Sequence, residues 1–240
     1  MHRMRRHSVK IGLILALFAC FGRPASTLAD LIRPDAKQSF PDLSSDIVGT
    51  QTYTFDPSTG TGIFQVNNTP AVLATGPSVS NESYVYDPTG GAARSQSIQI
   101  KLDSSGKLLN DPGNSYSLYG SVQVDGKTYS GLLLQGTPTQ FGFASPNPQT
   151  PGMSIYDLNM NLTGGLLQPK YGGDAYVRII AETNSTFNGS FSQSFLGLKA
   201  MTNVRSYNLV NQAAVPEPSA FAIMLACGCF GLIYHRRKVA

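Results

Sequence analysis

Val122-Gln123-Val124-Asp125-Gly126-Lys127-Thr128-Tyr129 is the stretch that decides the fold. Apolar and polar residues alternate on both sides of Asp125-Gly126, a dipeptide that suits a type I′ turn because both central residues of that turn need positive φ. A period of two turns one face of each strand toward a core and the other toward solvent, so this segment predicts an antiparallel hairpin.

The same pattern repeats outward from the hairpin. Tyr53 and Phe55 alternate with Thr before Asp56-Pro57-Ser58-Thr59-Gly60, after which Ile63-Phe64-Gln65-Val66 follows. Tyr84 and Tyr86 alternate before Asp87-Pro88-Thr89-Gly90-Gly91, and Ile98, Ile100 and Leu102 before Asp103-Ser104-Ser105-Gly106. Further strands are expected at 131–135, 154–162, 176–182 and 186–195, each bounded by turn-forming residues. No segment of the body holds a helical period over eleven residues. Many short strands close into a sandwich or a barrel; the expectation is an all-β fold, an antiparallel β-sandwich or jelly-roll-like domain over residues 50–210. Residues 30–49, with Pro34 and Pro41, read as a flexible leading segment, and 203–219 as outgoing chain with a linker at 211–219.

The two ends have a different composition. Residues 1–10 are cationic, residues 11–21 (IGLILALFACF) are apolar, and Thr27-Leu28-Ala29 places small residues before a cleavage after Ala29. That order is the one of a secretory signal peptide over residues 1–29, since eleven apolar residues are too few to cross a ~30 Å hydrocarbon layer. At the far end Pro216-Glu217-Pro218 precedes the apolar stretch Ala220 to Tyr234, which Arg236, Arg237 and Lys238 follow. Two prolines around Glu217 hold it in extended backbone, where an enzyme can grip it. The apolar stretch reads as a transmembrane helix within 220–240, with the three cations keeping its end at the cytoplasmic face.

These residues together resemble the PEP-CTERM sorting signal of Gram-negative bacteria; the resemblance covers only residues 215–240. It implies a membrane exosortase as processing partner, transient anchoring in the inner membrane, and delivery of the body to the cell surface or the extracellular polymeric matrix. Pro216, Glu217 and Pro218 take the place of the sorting motif, and Arg236 and Arg237, with Lys238 beside them, that of the basic end.

Charge and residue types narrow what the body can do. Between residues 30 and 214 there are 13 Asp and Glu against 10 Lys and Arg, a net charge of −3, so the basic balance of the whole chain belongs to its ends. A body without a basic excess does not displace counterions from a nucleic acid, and none is expected as partner. The three Cys and three His all lie outside 30–214. No disulfide framework, Cys/His zinc site, Ser-His-Asp triad or Cys-His pair can therefore be built in the body.

Catalysis would then fall to carboxylates, and a glycoside hydrolase working through two of them is one alternative reading. Asp157, Asp174 and Glu182 are the acids least tied to turns. A carbohydrate-binding adhesin is the other, with tyrosine and phenylalanine faces against an extracellular polysaccharide, although alternating strand positions usually mean core packing. Asp103-Ser104-Ser105-Gly106 and Asp111-Pro112-Gly113-Asn114 bring hard oxygen ligands to one loop without the spacing of a calcium-binding EF-hand. The expectation is an exported protein with a structural or interaction role, without catalytic residues, metal or cofactor.

Overall fold

The computed structural model describes residues 31–32, 39–144, 153–183 and 185–207. Ala29, Pro216, Glu217, Pro218, Arg236, Arg237 and Lys238, and both apolar ends, lie outside the described residues. Among the described residues no helix is long and apolar enough to cross a membrane.

Among the described residues eleven strands form one antiparallel sheet: β1 (Asp42–Ser45), β2 (Gly49–Asp56), β3 (Thr61–Asn68), β4 (Pro70–Ala74), β5 (Glu82–Tyr84), β6 (Ser95–Asp103), β7 (Ser115–Val124), β8 (Lys127–Ala144), β9 (Ser154–Gly164), β10 (Asp174–Thr183) and β11 (Phe195–Ser206). The expected hairpin is β7–β8, with Val124 opposite Lys127 and positive φ at Asp125 (51°) and Gly126 (73°).

The antiparallel all-β expectation holds, but the two separate layers of a sandwich or jelly roll do not form. β11 pairs with β10 on one edge and with β2 on the other, which closes β2, β3, β6, β7, β8, β9, β10 and β11 into an eight-stranded barrel. Closure removes the unpaired edges that an open sheet would expose.

The three remaining strands continue the barrel wall. β1 pairs with the end of β11 beyond the point where β2 leaves it, β4 pairs with β1, and β5 with β4. Each is collinear with a barrel strand: β1 leads into β2, β3 leads into β4, and β5 leads, through an excursion at 87–94, into β6. A bridge between Tyr86 and Ser121 then joins the β5 segment to β7. The wall thus has eight staves in chain order, up and down, and three neighbouring staves are broken partway along their length.

Side chains fill the interior, as expected for a barrel of this strand number. Where β2 turns into β3, Tyr53, Phe64, Tyr156 and Phe195 point inward, and the connection at 185–194 adds Phe187 and Phe191. Phe187 lies 4.7 Å from Phe195 and Phe191 4.9 Å from Phe143, ring centre to ring centre, and the Tyr53 hydroxyl donates to the Phe191 carbonyl at 3.0 Å. The strand expected at 186–195 is therefore an aromatic plug, and the strand itself starts at Phe195. The opposite end is closed by α1 (Gln168–Tyr171), which brings Leu167 and Tyr171 into the core, the Tyr171 hydroxyl donating to the Val204 carbonyl at 3.4 Å.

Two stretches read as unstructured chain take part in the wall. β1 lies within 30–49, and the last residues of β11, through Ser206, lie within the stretch from 203 read as outgoing chain. The cause is a clamp that sequence spacing does not reveal: Asp42 accepts from Arg205 Nε at 2.7 Å and from Asn203 Nδ2, while the Ser206 amide donates to the Pro41 carbonyl at 3.1 Å.

Candidate functional site

The stave breaks coincide with a layer of polar side chains inside the barrel. Asn68 and Gln96 face each other across β3 and β6, and both point inward. Thr202 Oγ1 donates to Gln96 Oε1 at 2.5 Å and accepts from Asn68 Nδ2 at 2.9 Å, while its amide donates to Ser45 Oγ at 2.8 Å. Gln96 Nε2 reaches the Tyr116 hydroxyl at 3.2 Å, and Gln51 Nε2 the Tyr156 hydroxyl at 2.9 Å. Burial raises the pKa of both tyrosines well above its ordinary value, so the hydroxyls stay neutral. Gln51 Oε1 and Asn68 Oδ1 find no partner among the described residues, leaving two buried acceptors at this level.

On the outside the same breaks open a depression of about 430 Å³, lined by Thr69, Tyr86, Asp87, Ala93 and Arg94. Its floor is fixed by backbone pairing. The Asp46 amide bonds the Thr69 carbonyl at 2.9 Å, the Val85 amide bonds Ala71 at 2.8 Å, and Tyr86 and Ser121 exchange two bonds of 2.8 Å. The excursion at 87–94 is pinched at its base, where the Arg94 amide donates to Asp87 Oδ1 at 3.0 Å and the Arg94 guanidinium donates to the Val85 carbonyl. Further out, Thr89 is held to Ser130, amide to hydroxyl, at 3.0 Å.

Tyr86 lines this window and is 63% exposed, and Tyr84 (68% exposed) and Tyr119 (42%) are turned outward on the same face of the wall. The alternation around Tyr84 and Tyr86 predicts a strand with its tyrosines on one face, and that face is the outer one. Val85 takes the inner face, fully buried, because Gly120 on β7 leaves room for it: a Cβ at Gly120 would stand 2.5 Å from Val85 Cγ1. A slip of one residue would exchange the two faces, so the glycine fixes which side chains meet solvent.

Asp56-Pro57 and Asp87-Pro88 look alike in sequence yet do different work. The Asp56 carboxylate caps its own turn, accepting from Ser58 Oγ at 2.7 Å and from the Ser58 amide at 2.9 Å, and these bonds hold its pKa below the ordinary value. Asp87 instead reaches across the excursion to Arg94. Sequence reading missed Asp87, Arg94 and Thr69 as a group; the available signal was Arg94, the sole basic residue between Lys37 and Lys101.

The acids singled out from sequence do not come together. Asp157 is fully buried on the outer side of β9, in a two-point ion pair with Arg178 (2.8 and 2.9 Å). Asp174 is opposite Asn161, four residues further along β9, or about 13 Å at strand rise. That exceeds the ~5–9.5 Å separation of a glycosidase pair. The side chain of Glu182 lies outside the described residues. In the loop considered for calcium, Asp103 Oδ1 accepts from the amides of Ser105 (2.8 Å) and Lys107 (3.0 Å), and Asp111 accepts from the Gly113 amide (2.8 Å) and pairs with Lys101 (3.2 Å). Among the described residues no group of three His, Cys, Asp or Glu is placed to hold a metal.

Comparison of the chain with protein families, with curated proteins and with solved structures finds no match.

Proposed function

We propose that this chain is an exported surface or extracellular-matrix protein whose β-barrel is an interaction module delivered by a PEP-CTERM-type sorting tail. The order that carries the reading is Pro216-Glu217-Pro218, fifteen apolar residues, then Arg236, Arg237 and Lys238, with a signal-peptide pattern ending at Ala29 at the other terminus. An inner-membrane exosortase-type enzyme is the processing partner in this reading, and the membrane a transient one. The barrel supports an interaction role in two ways. Its interior is filled by side chains, and its one broken wall region carries exposed aromatic and charged groups, so recognition falls to the outer surface.

Replacing Glu217 with Ala, and separately deleting Arg236–Lys238, tests the tail in a host that carries an exosortase. The expected result is full-length protein retained in the inner-membrane fraction, against processed protein at the surface for the parent. If both variants reach the surface as the parent does, the tail is not a sorting signal.

A further inference from the structure

We infer that the window between the broken staves binds a polysaccharide chain, with sugar rings stacked on Tyr84, Tyr86 and Tyr119 and their hydroxyls held by Asp87, Arg94 and Thr69. This deepens the reading of the barrel as an interaction module and is independent of the sorting tail.

The placement of the tyrosines is the first support. Tyr53, Tyr116, Tyr156 and Tyr171 are all buried, whereas these three are turned outward on one face of the wall. Tyr84 and Tyr86 are two residues apart on one stave, about 7 Å along it. Tyr86 is opposite Ser121, and Tyr119 lies two residues from Ser121 on the same face of β7, a diagonal step of about 7–8 Å. The three rings therefore form a row longer than a single sugar, which suits a chain.

Polar chemistry around the row is the second support. A pyranose presents a C–H face and a rim of hydroxyls, and a ligand of that kind needs an aromatic surface beside donors and acceptors. Asp87 accepts only the Arg94 amide among the described residues, which leaves carboxylate lone pairs for ligand hydroxyls. Arg94 has no carboxylate partner among the described residues; its guanidinium is tied to the Val85 carbonyl and keeps further N–H groups for acceptors. Thr69 adds a hydroxyl to the lining. The Arg94 amide on the Asp87 carboxylate and the Arg94 guanidinium on the Val85 carbonyl preorganise the lining, which lowers the entropy lost on binding. A nucleic acid is a poor fit to a body of net charge −3.

The test uses the full-length chain in mild detergent with xylan, dextran, alginate, cello-oligosaccharides and chito-oligosaccharides as probes, by affinity electrophoresis and titration calorimetry. At least one probe is expected to bind. Tyr86→Ala is expected to weaken it about tenfold or more, Tyr86→Phe to retain most of the affinity because the ring remains, and Asp87→Asn to weaken it by a smaller factor. Far-UV circular dichroism of each variant establishes that the barrel is intact. Failure of every probe to bind overturns the proposal, and so does binding that Tyr86→Ala leaves unchanged in a folded variant.

Discussion

Asp157 and Arg178 are opposite each other on β9 and β10, and both point away from the barrel interior. Period-two reading places Asp157 on the outward phase, where a carboxylate is ordinarily solvated; the structure buries it completely against the guanidinium. Two parallel N–H···O bonds to one carboxylate are a strong form of this interaction, and the energetic asymmetry is larger than the net gain. Arg178→Met leaves a buried carboxylate without its main counter-charge and is expected to destabilise the fold by about 3–5 kcal/mol. Adding Asp157→Leu to that variant is expected to recover part of the loss. Urea-denaturation midpoints of the two variants and the parent check both expectations, and a double variant less stable than Arg178→Met would contradict them.

The wall elements depend on two glycines for different reasons. Gly126 lies in the β7–β8 turn at φ 73° with no atom near an added Cβ, so Gly126→Ala carries only the backbone penalty of a left-handed residue, about 1–2 kcal/mol. Gly120 has an ordinary backbone, but an added Cβ would collide with Val85. Gly120→Ala is therefore expected to push the Val85–Tyr86 segment off β7 and open the seam held by the Tyr86–Ser121 bridge. Amide hydrogen exchange separates the two: Gly120→Ala should accelerate exchange at Tyr86 and Ser121, and Gly126→Ala should leave those amides protected. The turn was legible because its requirement is local. The seam was not, because Gly120 and Val85 are distant in sequence and meet only after β6 and β7 have paired.

For the whole molecule, titration sets a stability plateau with two edges. Burial, and then the nearby Asp103 carboxylate, push the Tyr53 hydroxyl up to about 12; burial also raises Tyr116, Tyr156 and Tyr171. A raised folded-state pKa means that the neutral phenol is favoured in the fold. The contribution of these groups is fully present below the ordinary value of 10.0 and is lost as pH rises through the folded-state values. On the acid side, hydrogen bonds from Ser58 lower Asp56 and that from Gly113 lowers Asp111. Partial burial pushes Asp103 up, but the bonds from Ser105 and Lys107 outweigh it and leave its pKa lowered. Their contribution is present above the ordinary value of 3.8 and is lost as pH falls through their lowered values. Melting temperatures across pH are expected to stay level with respect to these groups between the two limits and to fall beyond each. A melting temperature that rises above pH 10 would contradict the buried-phenol assignment.

Strand character, the Asp125-Gly126 turn, the alternation of Tyr53, Ile98, Ile100 and Leu102 and the lack of His and Cys chemistry in the body were set by the chain alone, because alternation, turn geometry and composition are properties of short segments. Tertiary structure alone decided that the sheet closes, that β1 and the end of β11 belong to it, that residues 185–194 plug one end, and that Asp87 and Arg94 meet beside three exposed tyrosines. Each of these rests on pairing between residues far apart in the chain. An isolated strand carries the same hydrophobic pattern whether its neighbour completes a sandwich, a jelly roll or a barrel; only the hydrogen bonds from β11 to both β10 and β2 settle which.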